Sequence, residues 1–395
     1  MADPVGYISY TLPGNSETLL PLQLARNLTF MGYVNQVTPA GVRFSANLPT
    51  GVFGSVGRGY MEVRVGAMAG LGIPATGFSG NFLNLERSPV GLVSVGDYVS
   101  IREEWTLGGL FETLLELPFE SGESAAVADT LSVWDARTQT SRVFYLHTGL
   151  GWREADKLAE GDKSQVPVLF PSGVIVRRRA ATDVQVVVTG QVIMPLDQRY
   201  HPVWPGRNII SAPFTSSPNL NHYIRPVEDA PHTVVSGLSA PSSDTLRFYT
   251  YDLEAGTKSI SPVIYYGNGQ WRVVGSNENA GETSLSFSPC LDLQRVGPAG
   301  YIRFQGIPYE SAAASQKVAA AVSKVVKEDS VTLNKSAGGL TLRWPSKAGS
   351  FYQIQSRPVW SGSWEDFKAS VQATSSEAAV EFAPEGNACF RVIEL

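Results

Sequence analysis

The strongest constraint on this chain is that one stretch of it is written twice. Asp129-Thr130-Leu131 opens the first version and Gly151-Trp152-Arg153 closes it; Asp244-Thr245-Leu246 opens the second and Gly269-Gln270-Trp271-Arg272 closes it. Each encloses an aromatic, strand-like run, Val143-Phe144-Tyr145-Leu146 and Val263-Ile264-Tyr265-Tyr266. The openings stand 115 residues apart (129 to 244) and the tryptophans 119 apart (152 to 271). A nearly constant offset over several landmarks is the signature of internal repetition. After the closing landmark each version crosses a polar loop and returns to strand, so repeat A reads as 129–190 and repeat B as 244–306.

With 395 residues the chain exceeds one ordinary core, and two or three domains are expected. Its 38 glycines and 25 prolines punctuate runs rich in Val, Thr, Tyr, Phe and Trp, which predicts an all-β fold with many turns. A net charge of −5, spread along the chain, leaves no electrostatic footprint for nucleic acid. The densest basic run, Arg177-Arg178-Arg179, follows the strand-like Val174-Ile175-Val176 and reads as a solvated strand end or a salt-bridged edge. No apolar run reaches the length of a membrane span, so membrane insertion is not expected. Ala2-Asp3-Pro4 fits a mature N-terminus left by signal-peptide removal, with Met1 added ahead of it; a natural cytoplasmic start is the alternative.

Read in order, residues 1–190 form an N-terminal β-domain that contains repeat A. Its alternating strands include Tyr7-Ile8-Ser9-Tyr10-Thr11-Leu12, Val42-Arg43-Phe44 and Tyr60-Met61-Glu62-Val63-Arg64-Val65. A short helix is expected over 107–116. Residues 191–309 form a second β-domain that contains repeat B. Faint echoes place Thr106-Leu107-Gly108-Gly109-Leu110 against Thr233-Val234-Val235-Ser236-Gly237-Leu238, so the repeating unit can be longer than its loudest part. Around 310–328 the alanine-rich Ser311-Ala312-Ala313-Ala314-Ser315 run, with Val318, Val322, Val325 and Val326 on one face, predicts a linker helix between domains. Residues 330–395 read as a small β-sandwich. The fold expected is therefore duplicated sandwich- or barrel-like β-units, one linker helix and a C-terminal sandwich.

The residues that could carry chemistry are few. Trp152 and Trp271, at equivalent places, are either paired aromatic platforms for sugar rings or repeated core anchors, and the strand pattern favours the core. Trp360 and Trp364, in the loop-like Val359-Trp360-Ser361-Gly362-Ser363-Trp364, are the candidate ligand-binding pair. His201, His222 and His232 lack the spacing of a metal site, and neither a metal nor a cofactor is expected. Glu103, Glu104 and Asp183 are the carboxylates considered for a glycosidase pair. No nucleophile elbow, phosphate loop or Cys-His pattern is present, and no enzymatic activity is expected. Cys290 and Cys389 could form a bridge in an oxidising compartment; two separate buried thiols are favoured.

Two sets of residues carry a resemblance. Leu342-Arg343-Trp344-Pro345, Ala348-Gly349, Tyr352-Gln353-Ile354-Gln355-Ser356, Trp364 and Phe390-Arg391-Val392 resemble a C-terminal fibronectin type III-like module found on secreted proteins of Verrucomicrobia and Planctomycetes. The rest is similar to a paralogous family of secreted Verrucomicrobial β-repeat proteins. That similarity is carried by Asp3-Pro4-Val5-Gly6-Tyr7, by Ile101 with Trp105-Thr106-Leu107-Gly108, by Pro171-Ser172-Gly173-Val174 and by Tyr265-Tyr266-Gly267-Asn268-Gly269. The resemblance implies a secreted or cell-surface location and brings no site residues with it. The expectation is a structural protein that packs against itself or the cell envelope, its first strand (Tyr7, Ile8, Tyr10, Leu12) adding to a neighbour's sheet edge. The alternative is a carbohydrate-binding or adhesive module with a glycan partner, and a glycoside-active hydrolase stands behind both.

Overall fold

The computed structural model describes residues 5–54, 57–110, 119–168, 172–191, 198–211, 219–224, 234–252, 257–276, 278–283, 290–305, 324–325, 331–336, 339–358, 364–368, 370–383 and 388–394. These residues form an all-β protein. The chain opens with β1 (Val5–Leu12) and β2 (Glu17–Pro21). Six strands follow: β3 (Leu28–Thr38), β4 (Gly41–Phe44), β5 (Gly59–Val65), β6 (Gly72–Ser79), β7 (Phe82–Leu85) and β8 (Tyr98–Glu103). They close into a barrel in the order β3-β4-β7-β6-β5-β8. Alternation turns Val42 and Phe44 inward and Arg43 outward on β4. Register shifts at Leu28/Phe30, Val34/Gln36, Val63/Val65 and Ala75/Gly77 supply the bends that closure of so small a barrel requires.

After β9 (Trp105–Thr106) come β10 (Thr130–Asp135), β11 (Thr140–His147), β12 (Gly151–Glu154), β13 (Pro167–Val168), β14 (Gly173–Arg177) and β15 (Val184–Gln191). Then follow β16 (Gln198–Val203), β17 (Gly206–Ser211), the helical turn α1 (Leu220–Tyr223), β18 (Thr245–Asp252) and β19 (Thr257–Ile260). β20 (Ile264–Gly267), β21 (Gln270–Val273), β22 (Cys290–Arg295) and β23 (Gly300–Gln305) complete this part. One sheet runs β12-β11-β10-β14-β2 and a second runs β21-β20-β18-β22-β17, with β19 paired to β18. Position for position the order is the same. Each sheet is also accompanied by an antiparallel pair, β1 with β15 and β16 with β23. The barrel lies in the connection between β2 and β10, so residues 1–190 build two cores, one inside the barrel and one under the first sheet. In the second sheet Asn268-Gly269 joins β20 to β21 with both residues at positive φ, 52° and 74°, the two-residue turn that matches strand twist.

The aspartate that opens each repeated landmark does the same work in both sheets. Asp244 Oδ2 accepts from Arg295 Nη1 at 2.7 Å and from the Val235 amide at 2.9 Å, while Oδ1 accepts from the Val296 amide at 2.8 Å. Asp129 pairs with Arg178 Nη1 and accepts from the Glu120 amide at 2.8 Å and the Arg179 amide at 2.6 Å. Both carboxylates are fully buried and both guanidiniums nearly so. Each clamp ties the start of a central strand to the end of its neighbour and to the incoming loop. The correspondence of Glu120 with Val235 sets residues 234–238 against the loop ahead of Asp129, not against 106–110 as their sequence echo suggests.

The two sheets meet at a seam of Leu19, Ile209 and Cys290, with Trp134, Ile175 and Tyr249 packed against it. Here Gly173 is required. A Cβ at that position would stand 2.6 Å from Cys290 Sγ and 3.0 Å from a methyl carbon of Ile209.

The C-terminal strands are β24 (Lys324–Val325), β25 (Thr332–Ser336), β26 (Gly339–Pro345), β27 (Phe351–Pro358), β28 (Glu365–Asp366), β29 (Val371–Gln372), β30 (Glu377–Phe382) and β31 (Ala388–Glu394). A β25-β26-β30 sheet packs on the sheet that holds β27 and β31, around the buried Trp344, Tyr352, Ile354 and Phe390. That second sheet does not stop at the segment boundary. It runs β15-β1-β31-β27-β28, because β1 pairs with β31 over Val5–Tyr7 as well as with β15 along its whole length.

This pairing overturns the expectation that the first strand is free to join a neighbour. Tyr7, Ile8, Tyr10 and Leu12 are buried, Tyr7 in the C-terminal core and the other three under the first sheet. The linker-helix expectation falls outside the described residues except at Lys324-Val325. Those two are strand, paired with Glu394 and Ile393, where the free edge of β31 offers a ladder. Of the helix expected over 107–116, Leu107–Leu110 form a turn and the remainder lies outside the described residues. Cys290 and Cys389 are separate buried thiols, and burial pushes both up, Cys389 to about 12.

Asp244→Asn should lower the urea midpoint by an amount equivalent to about 3 kcal/mol, since it strands the Arg295 charge in the interior. The double variant Asp244→Asn/Arg295→Met should recover part of that loss. Equal losses in the single and double variants would show that the charge pair is not what stabilises this corner.

Candidate functional site

The barrel, the first sheet and the opening strands of the second sheet meet around a cleft of about 240 Å³. The barrel contributes Tyr60 and Glu62 from β5 and Arg87 from the loop after β7. The first sheet contributes Trp134 and Arg137 from the β10–β11 hairpin and Arg142 from β11, and the chain after β15 contributes Arg199, His201 and Trp204. Backbone contacts fix the junction: the Tyr200 amide donates to the Gly70 carbonyl at 3.1 Å, and Leu71 bridges to Tyr200.

Glu62 is the electrostatic centre of this junction. Its side chain is 2% exposed and faces Arg199, Arg64 at 3.2 Å and Arg102 at 3.7 Å, with the Ser100 hydroxyl at 3.4 Å. Burial pushes the carboxyl up, but Arg199, Arg64 and Arg102 more than offset it and hold it at about 2. Arg102, wholly buried, also donates to Gln191 Oε1 at 2.5 Å and to the Arg26 carbonyl at 3.1 Å. One network therefore binds β5 and β8 of the barrel to the end of β15 and to β16. Burial keeps the Tyr60 phenol protonated. His201 is 9% exposed, and burial together with the nearby Arg87 charge depresses it to about 3, so its imidazole is neutral at neutral pH.

Most of the remaining charges in the cleft are paired. Arg137 contacts Glu86 at 3.0 Å, and Arg142 grips Glu154 through two bonds of 3.1 and 2.8 Å. Arg87 differs. Its guanidinium lies 4.9 Å from the centre of the Trp204 ring and 5.4 Å from that of Tyr301, and it donates to the Tyr301 hydroxyl at 3.1 Å. Trp134 is held by its own indole N–H, which donates to the Arg207 carbonyl at 2.8 Å. The result is a recess that mixes aromatic faces with guanidiniums, of which Arg199 is buried against Glu62 while Arg137 and Arg142 are partly exposed. With Glu62 held as a carboxylate, that group has no proton to donate at neutral pH.

The residues singled out from sequence are placed as follows. Trp152 and Trp271 are core anchors, packed edge-on against Phe119 and Tyr266 at 6.1 and 5.2 Å. Trp364 is half-buried, with the Arg357 and Arg391 guanidiniums each 4.6 Å from its ring centre. Trp360 lies outside the described residues. His201 lines the cleft, the His222 side chain and His232 lie outside the described residues, and no group of three or more His, Cys, Asp or Glu among the described residues could hold a metal ion. Asp183 accepts from the Gly14 amide at 2.9 Å, and Glu103 pairs with Arg26 at 3.5 Å, while Glu104 lines the cleft. Arg178 and Arg179 of the basic run are spent on Asp129 and on the Ala125 and Ala128 carbonyls. Sequence reasoning passed over Arg87, Trp134, Arg199 and Trp204, which are brought together only by the barrel's docking.

Comparisons with protein-family models, with curated proteins and with solved structures return no match.

The cleft gives the protein a defined acid response. His201 has its folded value depressed from 6.5 to about 3, so the stability it confers is complete above pH 6.5 and is lost as pH falls towards 3. Glu62, depressed from 4.5 to about 2, adds a second loss between those values. Urea midpoints measured from pH 7 to 3 should fall in wild type from pH 6.5 downward, and His201→Gln should flatten the first part of that fall. An unchanged slope in His201→Gln would contradict the assignment.

Proposed function

We propose that this is an exported binding protein that takes a saccharide-sized ligand in the cleft between the barrel and the two sheets. The observation that carries the reading is the cleft itself: about 240 Å³ of space walled by Trp134, Trp204 and Tyr200 and bordered by the buried Arg199–Glu62 pair. That space suits roughly one or two sugar rings, and aromatic faces with a few fixed polar groups are the usual lining of such sites. The like order of the two sheets and their matching aspartate clamps support descent from one duplicated unit, with the barrel placed in the first copy between its second and central strands. The two-layered C-terminal segment is compatible with a fibronectin type III-like module, and the exported location rests on the family resemblance.

A direct test is titration of the intact chain with neutral and uronic-acid disaccharides, followed by tryptophan fluorescence. At least one class should shift the emission, and Trp204→Ala should weaken that binding about tenfold or more. No response to any member of the panel would remove the reading.

Self-assembly keeps one specific support, now on a different surface. Tyr33, 64% exposed, and Val65, 63% exposed, flank Tyr98 on the outer face of the barrel, with the two tyrosine rings 4.8 Å apart. A second copy of the chain is the occupant proposed for this stripe. If it forms a contact between copies, mass in solution should rise with concentration and Tyr33→Ser should abolish the rise. A constant monomer mass would leave the cleft reading alone.

A further inference from the structure

Arg87 is the odd charge in the cleft. Arg137, Arg142 and Arg199 each face a carboxylate, Glu86, Glu154 and Glu62. Arg58 lies in the open, where water solvates it. Arg87 is half-buried, and among the described residues no carboxylate stands within ion-pair distance of it. Its position is nonetheless fixed. Trp204 and Tyr301 flank the guanidinium at 4.9 and 5.4 Å, and the Tyr301 hydroxyl, on a residue whose side chain is packed against the barrel core, accepts one of its N–H groups at 3.1 Å. A cation that has lost part of its hydration and has no counter-charge is unfavourable by itself. Its neighbour His201 is buried and neutral, so it adds no competing charge, and its Nδ1 has no hydrogen-bond partner among the described residues.

From this arrangement we infer that Arg87 recognises an anionic group on the ligand, and that the ligand class is an acidic saccharide bearing a uronate carboxylate. The inference rests on the cleft being a ligand site. A planar guanidinium with its remaining N–H groups open matches a carboxylate through two parallel hydrogen bonds. Contact with two aromatic rings and the bond to the Tyr301 hydroxyl hold that fork in place before the ligand arrives, which lowers the ordering cost of binding. A cleft of about 240 Å³ favours a sugar ring over an extended acidic peptide, which needs a groove several residues long. Trp204, whose ring stacks on Arg87, would then stand beside both the charge and the sugar face.

The test compares a galacturonate disaccharide with its neutral galactose counterpart by calorimetric titration of the intact chain, in wild type and in Arg87→Gln and Tyr301→Phe. Wild type should prefer the acidic sugar by about tenfold or more, and added salt should reduce that preference. Arg87→Gln should cut the preference by a similar factor. Tyr301→Phe keeps the charge but frees the guanidinium, and should reduce the preference by a smaller factor. Equal affinity of wild type for the two sugars would overturn the inference, as would an acidic preference that survives in Arg87→Gln. If the neutral sugar binds equally well and Trp204→Ala weakens it, the cleft reading stands and the anion assignment falls. If neither sugar binds, both fall.

Discussion

The structure depends first on a buried carboxylate gripped by a buried guanidinium and two backbone amides, built twice. Asp129 and Asp244 stand immediately ahead of the central strands of the two sheets, and Arg178 and Arg295 stand at the ends of the strands beside them. An ion pair taken out of water is costly unless its geometry and remaining hydrogen bonds are satisfied. Here each carboxylate oxygen has donors, and the backbone amides come from the loop entering the sheet and the residue leaving it. The clamp therefore specifies which loop meets which strand. With the strand order so fixed, the outer faces of the two sheets present the seam of Leu19, Ile209 and Cys290, and Gly173 lets them approach.

The same logic, applied once more, places the barrel. Glu62 gathers Arg199, Arg64 and Arg102, and Arg102 reaches Gln191 at the end of β15. A buried network of this kind holds its parts in one arrangement only while every member is present. The cleft is the space left where three β-units are held at that junction. The network fixes the junction that shapes the cleft, and the ligand preference proposed for it rests on a residue the network does not use, Arg87. β1 pairs with both β15 and β31, so the C-terminal layers are joined edge to edge with the β1–β15 pair that accompanies the first sheet.

Much of this architecture is legible in the sequence. The repeated landmarks are the paired strands β10–β12 and β18–β21, and the alternation at Val42-Arg43-Phe44 and Tyr60–Val65 marks barrel strands. Barrel closure is not legible, because it depends on which edges meet and on bulges that shift the register locally. The role of Asp129 and Asp244 is signalled by their recurrence, but their arginine partners lie 49 and 51 residues away, beyond any local pattern. The first strand misleads for a similar reason: its alternation reads as a strand able to join a neighbour's sheet, whereas residues 184–191 pair along its whole length on one edge and residues 388–390 pair with Val5–Tyr7 on the other. The arginines beside Trp364 are likewise not local to it, since they come from β27 and β31. Arg87 and Trp204 sit in ordinary loop sequence and acquire meaning only from each other.

Hydrogen–deuterium exchange of the intact chain, with and without a saturating acidic disaccharide, tests the central claim most directly. Ligand should slow exchange at residues 133–137 and 199–204 together, since these segments face each other only across the cleft. Protection confined to the C-terminal layers or to the outer face of the barrel, with those two segments unchanged, would contradict it.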